Sequence, residues 1–407
     1  MFDASAAFAV NNIGNRQEFP EDQDRLDIAN KTRASILPWR GQFSPQLIDY
    51  LIERNAPHAT FIVDPFCGSG TVLYEAAEHD KSAYAVDINP AAICLASFSG
   101  ICSTPIKDRF SIISDVRSFV SSLRKSSDNK YLDIIEADEA ALHLMECDLC
   151  ALSTNAIRAA LLVAFGNQRS TTITKTVRAL RSIENSILSA PHTRQDIRTE
   201  IGDARDLPVE DQTVDYIVTS PPYINVFNYH QNYRPITESL GYKPLPMARS
   251  EIGSNRKFRQ NRYMTVVQYS IDMALFLEEA SRILKPSGCM TIVLGRESNV
   301  RGVAFRNGEI IGALAVEGLG WTAQSWHERK FMNRFGETIF EDVITLTPPT
   351  FTSDVDKIGR LVGTEALRIA LKITPSERAK EINEAINSAP QIMPSPYVLR
   401  DKEVSYD

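Results

Sequence analysis

Residues 59–89 run ATFIV-DPFCGSG-TVLYEAAEH-DK-SAYAVDIN, four segments of different character in one short span. ATFIV (59–63) is short, β-branched and continuously apolar, the pattern of a strand buried on both faces. DPFCGSG (64–70) is a glycine loop. TVLYEAAEH (71–79) has the composition of a helix, and SAYAVDIN (82–89) is a second strand that ends in an acid. Strand, glycine loop, helix and strand within about 30 residues make a βαβ unit, which requires a parallel sheet. Gly68 and Gly70 let the backbone turn sharply and approach a ligand, and the helix that follows aims its amino end at the same point.

Asp87 lies 23 residues beyond Asp64, where an acid accepts hydrogen bonds from ribose hydroxyls. The loop lacks the third glycine of G-x-G-x-x-G, and no Gly-Lys-Ser/Thr follows. A nucleoside without a pyrophosphate therefore fits better than a dinucleotide, and S-adenosylmethionine is the common one. Asp64 is placed to hold that ligand's ammonium group through a charge-assisted bond.

A second motif stands in DYIVTSPPYINVFNY (215–229). A buried strand stops at Ser220, because two prolines cannot continue a sheet ladder and hold the preceding residue extended. In an open parallel sheet, ligands bind beyond the carboxyl ends of the strands, so this corner can face the same crevice as the glycine loop. Its carbonyls and the Ser220 hydroxyl can accept hydrogen bonds from an amino group. The lone pair of an exocyclic amine is delocalised into its ring; acceptors around the N–H bonds favour a pyramidal nitrogen aimed at an electrophile. Tyr223 offers a flat face for stacking a base, worth roughly 1–3 kcal/mol.

The rest of the chain sets bounds. At 407 residues, 43% apolar and 23% charged, it has the composition of a globular protein with a sizeable core. No apolar run approaches the roughly 18 residues of a membrane span. The first residues lack a basic region, and Asp3 stands where a signal peptide wants Lys or Arg, so a cytoplasmic protein is expected. A net charge of −7 argues against a generally basic DNA-coating protein but allows local basic patches. Six scattered cysteines give no disulfide framework. Cys147 and Cys150 form one C-x-x-C without a second pair, so they read as core rather than as a zinc site, and no metal is expected.

Residues 1–35 are polar and read as a flexible arm. FSPQLIDYLIER (43–54) is a helix with Ser44 as N-cap and Pro45 at its first position. RFSIISD (109–115) reads as a strand. Residues 116–195 are helical, with acidic charge before basic charge. VDYIVT (214–219), CMTIVLG (289–295) and FEDVITLTPP (340–349) read as strands, YSIDMALFLEEASRILKPSG (269–288) as a helix, and PSERAKEINEAINSA as the one clear helix of the tail.

DPFCGSGT followed by TSPPY resembles the amino-methyltransferases of DNA, which methylate exocyclic nitrogens; Ser at the first position of the tetrapeptide is most similar to the cytosine-N4 enzymes. The resemblance covers roughly 36–115 and 196–348. It implies a doubly wound α/β, Rossmann-like class I methyltransferase sheet, with residues 116–195 as a helical insertion and 349–407 as a C-terminal helix and tail. It implies Phe43 and Ser44, then Asp64, Pro65, Phe66, Gly68, Gly70 and Thr71, then Asp87 and Asn89, then Asp203 and Ala204 as the S-adenosylmethionine site, with Asp115 competing with Asp203 for the adenine. Ser220, Pro221, Pro222 and Tyr223 become the catalytic corner, acting on a base extruded from double-stranded DNA. A cognate restriction endonuclease is the implied partner. Adenine-N6 and RNA guanine-N2 methylation are the alternatives, and a silent nucleoside-binding module is the alternative outside enzymes.

Residues 224–263 interleave basic and aromatic side chains, including Arg249, Arg256, Lys257, Arg259 and Arg262. That pattern suits phosphate gripping and base stacking, so DNA contact is expected there. GRESNVRG (295–302), at another strand end, is expected to line the same cleft. His230 and His327 read as structural.

Overall fold

A computed structural model describes residues 2–10, 23–28, 31–126, 133–224, 229–254, 257–333, 336–350 and 354–398. Among these, seven strands form one sheet: β1 (Phe61–Asp64), β2 (Ser82–Asp87), β3 (Ile197–Ile201), β4 (Val214–Thr219), β5 (Leu284–Gly295), β6 (Thr322–Met332) and β7 (Thr338–Thr347). Their spatial order is β6-β7-β5-β4-β1-β2-β3. Strands β1 to β5 are parallel, and β7 runs antiparallel to both its neighbours.

Alternate residues of each strand enter opposite cores. Ile62, Tyr216, Val218 and Val293 pack into one, while Val63, Ile217, Ile292 and Leu294 pack into the other. Burial on both faces explains why these strands are continuous apolar runs rather than alternating ones. The first face carries α1 (Pro45–Asn55), α2 (Thr71–Glu78), α3 (Pro90–Ala96) and the inserted helices α4 (Arg109–Ser126), α5 (Ala137–Met145), α6 (Ala151–Phe165) and α7 (Ile173–Ser189). The second carries α8 (Met264–Ile283), α9 (Val355–Ile373) and α10 (Ser376–Ser388). The architecture is the doubly wound α/β fold that the glycine loop implied.

Several local expectations are corrected. RFSIISD is the first turns of helix α4, not a strand. Arg109 at its start is fully buried and donates to the carbonyls of Ile187, Ala190 and Pro191, which end α7. Strand β6 and helix α9 are additional to the expected elements. Cys150 is exposed and caps α6, its sulfur accepting from the Ser153 amide, so it is not core. In the amino-terminal arm, Ala4–Val10 and Gln23–Asp27 are helical, with Ala7 and Leu26 buried. No helix among the described residues is long and apolar enough to cross a membrane.

Candidate active site

Adjacent strands β1 and β4 mark the place where the strand order reverses, the position at which doubly wound sheets bind ligands. Beyond their carboxyl ends lies a cavity of about 750 Å³, within the roughly 300–1,000 Å³ usual for small-molecule sites. The glycine loop after β1 and the proline corner after β4 both line it.

The loop takes its shape from two left-handed glycines, Gly68 (φ 51°) and Gly70 (φ 83°). A Cβ at 68 would lie 2.7 Å from Cδ1 of Trp39, so only glycine lets the indole close over the turn. The Gly68 amide donates to Oδ2 of Asp87 at 3.1 Å, and the Asn89 amide donates to Oδ1 at 2.8 Å. The Asn89 side chain in turn caps α3. The acid at the end of β2 is thereby fixed against the loop, and burial raises its pKa to about 7.

Asp64 departs from expectation. It is 1% exposed and does not line the cavity. Its Oδ1 instead accepts from the Thr219 hydroxyl at 2.7 Å and the Phe66 amide at 3.2 Å. Burial raises this carboxyl to about 7 as well.

At the corner, the Ser220 and Tyr223 hydroxyls are 3.5 Å apart. Two glycines position Tyr223. A Cβ at Gly295 would meet its ring at 2.8 Å, and one at Gly253 would collide with its carbonyl oxygen. Burial holds the Tyr223 phenol well above its ordinary range, so it stays protonated.

Of the expected cofactor residues, Phe43, Pro65, Phe66, Gly68, Thr71, Asp87, Asn89, Asp203 and Ala204 line the cavity together with all four corner residues. Ser44, Asp64 and Gly70 do not: Ser44 stands at the N-cap position of α1 but its buried hydroxyl makes no capping bond, and Gly70 packs on Ala96. Of the two candidate acids Asp203 lines the cavity and Asp115 does not; Asp115 accepts from the Ser153 hydroxyl in the insertion at 2.5 Å. Asp203 is itself held by Arg205, whose Nε and Nη2 donate to its two oxygens at 2.9 and 2.7 Å.

Arg205 is fully buried and also donates to Asp272 of α8, to the Ser395 and Pro396 carbonyls, and faces the Tyr397 ring. The Val398 amide reaches Oδ2 of Asp203 at 3.2 Å. A strap from the carboxy-terminal region thus packs behind the cavity wall.

The expected DNA-contact residues are dispersed. Arg249 and Arg259 are exposed and Arg262 is half-buried, while Arg256 lies outside the described residues. Lys257 is a correction: its ammonium is buried, with no hydrogen-bond partner among the described residues, and burial lowers its pKa to about 8. From GRESNVRG, the residues Glu297, Ser298 and Asn299 do line the cavity.

The sequence reading missed Trp39, Glu251, Asn333 and Glu341 as lining residues. Trp39 stacks between Tyr229 and Tyr233, at centroid distances of 6.4 and 6.0 Å. LPWR, just before FSP, was its only signal. Glu251 is gripped by buried His230 through the ring (3.0 Å) and the amide (3.1 Å), which gives that structural histidine a positioning role.

A family model described as an RMKL-like methyltransferase domain matches residues 55–243, a span that holds both motifs. Over that span, a little under half of the chain, the protein is similar to methyltransferase domains. The chain is also 40% identical over 55 residues to the type II methyltransferase M.MjaII of Methanocaldococcus jannaschii, a match covering 14% of the chain and only 10% of that relative's length. Among solved structures, the chain is similar to an S-adenosylmethionine-dependent methyltransferase from Methanosarcina mazei, with 12% identity and a TM-score of 0.35 over 74% of this chain and 97% of the other. It is also similar to the rRNA methyltransferase aviRa from Streptomyces viridochromogenes, with 12% identity and a TM-score of 0.31 over 81% and 94%.

Proposed function

We propose that the chain is an S-adenosylmethionine-dependent methyltransferase that acts on DNA and methylates the exocyclic N4 amino group of a cytosine turned out of the duplex. The observation that carries this reading is the shared cavity: Gly68 and Ser220, 152 positions apart in sequence, line one space. The partial match to a type II methyltransferase and the Ser-Pro-Pro-Tyr corner support the same reading.

The cavity suits the cofactor electrostatically. Its lining includes the carboxyl groups of Asp87, Asp203, Glu251 and Glu297, against Arg40 as the one Lys or Arg among the described residues. Such a wall disfavours a pyrophosphate and favours a cation. S-adenosylmethionine supplies a methyl group made electrophilic by a positively charged sulfur. Phe43, Pro65, Phe66, Gly68 and Thr71 would form its bed, Asp87 would accept from its ribose, and Asp203 and Ala204 would border its adenine.

The corner would do the positioning. The Ser220 hydroxyl and the proline carbonyls accept from the amino hydrogens and hold the nitrogen lone pair toward the cofactor half of the cavity. Tyr223, locked by Gly253 and Gly295, stacks on the base. The acidic wall repels phosphates, so a base enters while its backbone stays outside. Arg249, Arg259 and Arg262 would grip that backbone.

The test is incubation of the full chain with labelled cofactor and either duplex DNA or RNA, followed by nucleoside analysis by mass spectrometry. N4-methylcytosine from DNA is expected. N6-methyladenine, N2-methylguanine or no methylated nucleoside overturns the cytosine reading.

A further inference from the structure

The cavity has two halves. One is bordered by the glycine loop and Asp87. The other lies past Tyr223 and is bordered by Ser298, Asn299, Asn333, Ile339 and Glu341. Glu341 pairs in register with Gly295 across β7 and β5. Register partners present their side chains on the same face. The Tyr223 ring fills the space where a Cβ of Gly295 would lie, so the Glu341 carboxyl stands beside that ring.

We propose that Glu341 reads the target base, donating a hydrogen bond to the bare ring nitrogen next to the carbon that bears the amino group. This rests on the proposed reading of the site and sharpens it. Cytosine and adenine both carry an unprotonated ring nitrogen beside the amino carbon, which requires a donor. On its pairing edge guanine carries N1–H beside the amino carbon, which requires an acceptor, its bare N3 lying on the opposite side of that carbon. A neutral carboxyl donates, whereas a carboxylate only accepts.

The surroundings favour the neutral form. The Glu341 side chain makes no hydrogen bond among the described residues, where the cation paired with it is Arg329 of β6, with Nε 3.5 Å from Oε2. Burial raises its pKa, and the charge of neighbouring Asp342 adds to this; Arg329 opposes both without cancelling them. Tyr223 faces it as a neutral phenol, and Glu297 lines the same half of the cavity. Glu341 is thus a specificity-determining residue that accepts aminopyrimidine and 6-aminopurine edges and rejects the lactam edge of guanine.

The test compares kcat/KM against pH for the full chain, Glu341→Gln and Glu341→Ala, with cofactor affinity measured alongside. Because the protonated form is the active one and its pKa is raised, wild-type activity is complete at low pH and falls as pH rises through that pKa. Glu341→Gln keeps an amide donor, stays active and loses the alkaline fall. Glu341→Ala loses at least about tenfold in kcat/KM with unchanged cofactor affinity. A Gln variant whose profile superposes on wild type, or an undiminished Ala variant, overturns the assignment even if N4-methylcytosine is the product. A methylguanine product instead overturns the function reading, and the donor role with it, on a separate measurement.

Discussion

The Thr219 hydroxyl donates a 2.7 Å hydrogen bond to Asp64 Oδ1, tying the last residue of β1 to the last residue of β4. These residues immediately precede the glycine loop and the proline corner. One buried contact therefore sets the spacing of the two motifs that define the site. It also gives Asp64 a role other than the ligand contact expected from sequence.

The same contact carries a pH dependence. Asp64 is raised to about 7 from 3.8, chiefly by burial. The native state then holds this proton more tightly than the unfolded state does. Its stabilising contribution is complete below about pH 4 and is lost as pH rises through 7. Asp64→Asn keeps an oxygen acceptor for Thr219 and stays neutral. The variant is expected to match wild type near pH 4 and to exceed it by up to on the order of 4 kcal/mol near pH 8. Denaturant titrations at both values check this, and an equal difference at both would remove the assignment.

Gly295→Ala tests the seat of Tyr223. A methyl group 2.8 Å from the ring forces the phenol to move, while the cofactor half of the cavity is untouched. Methyl transfer is expected to fall on the order of 10²-fold, the scale of an ångström-size misplacement. Cofactor affinity by calorimetry should stay within twofold of wild type.

Arg205→Met probes the buried hub. It strands Asp203 and Asp272 as buried acids without their cation and frees the carbonyls of Ser395 and Pro396. Breaking such a pair costs about 3–5 kcal/mol, which urea denaturation will read directly. Because Asp203 lines the cavity, cofactor affinity should weaken in the same variant.

Replacing exposed Arg249 and Arg259 with Gln tests the expected nucleic-acid face. If each contacts one phosphate, the slope of log affinity against log salt should flatten by about 0.9 per contact. An unchanged slope would mean that this surface faces solvent.

The βαβ unit and both motifs were legible because their signals are local: a short apolar run, two glycines, an acid and two prolines. Other elements were obscured by tertiary context. RFSIISD passes for a strand by itself, but buried Ile112, Ile113, Val116, Phe119 and Leu123 follow helical spacing once the window is longer. Helix α9 contains Gly359 and Gly363, which read as breakers. A Cβ at either would lie 2.7 Å from a backbone Cα of α8, so these glycines let two helices touch. Strand β6 is mostly polar and exists because β7 pairs with it. Glu341 had no local signal: only its register with Gly295 carries it to Tyr223.

The strap around Arg205 has a consequence for synthesis. Chains emerge from the ribosome amino end first, and earlier segments begin to fold before later ones exist. When residues 64–223 have emerged, the glycine loop and the corner are both available, but Asp203 and Arg205 still lack the groups supplied by Ser395 to Val398. The support behind Asp203 waits for some 170 further residues, so a nascent chain passes through a stage in which both motifs are present and the binding site is still unfinished.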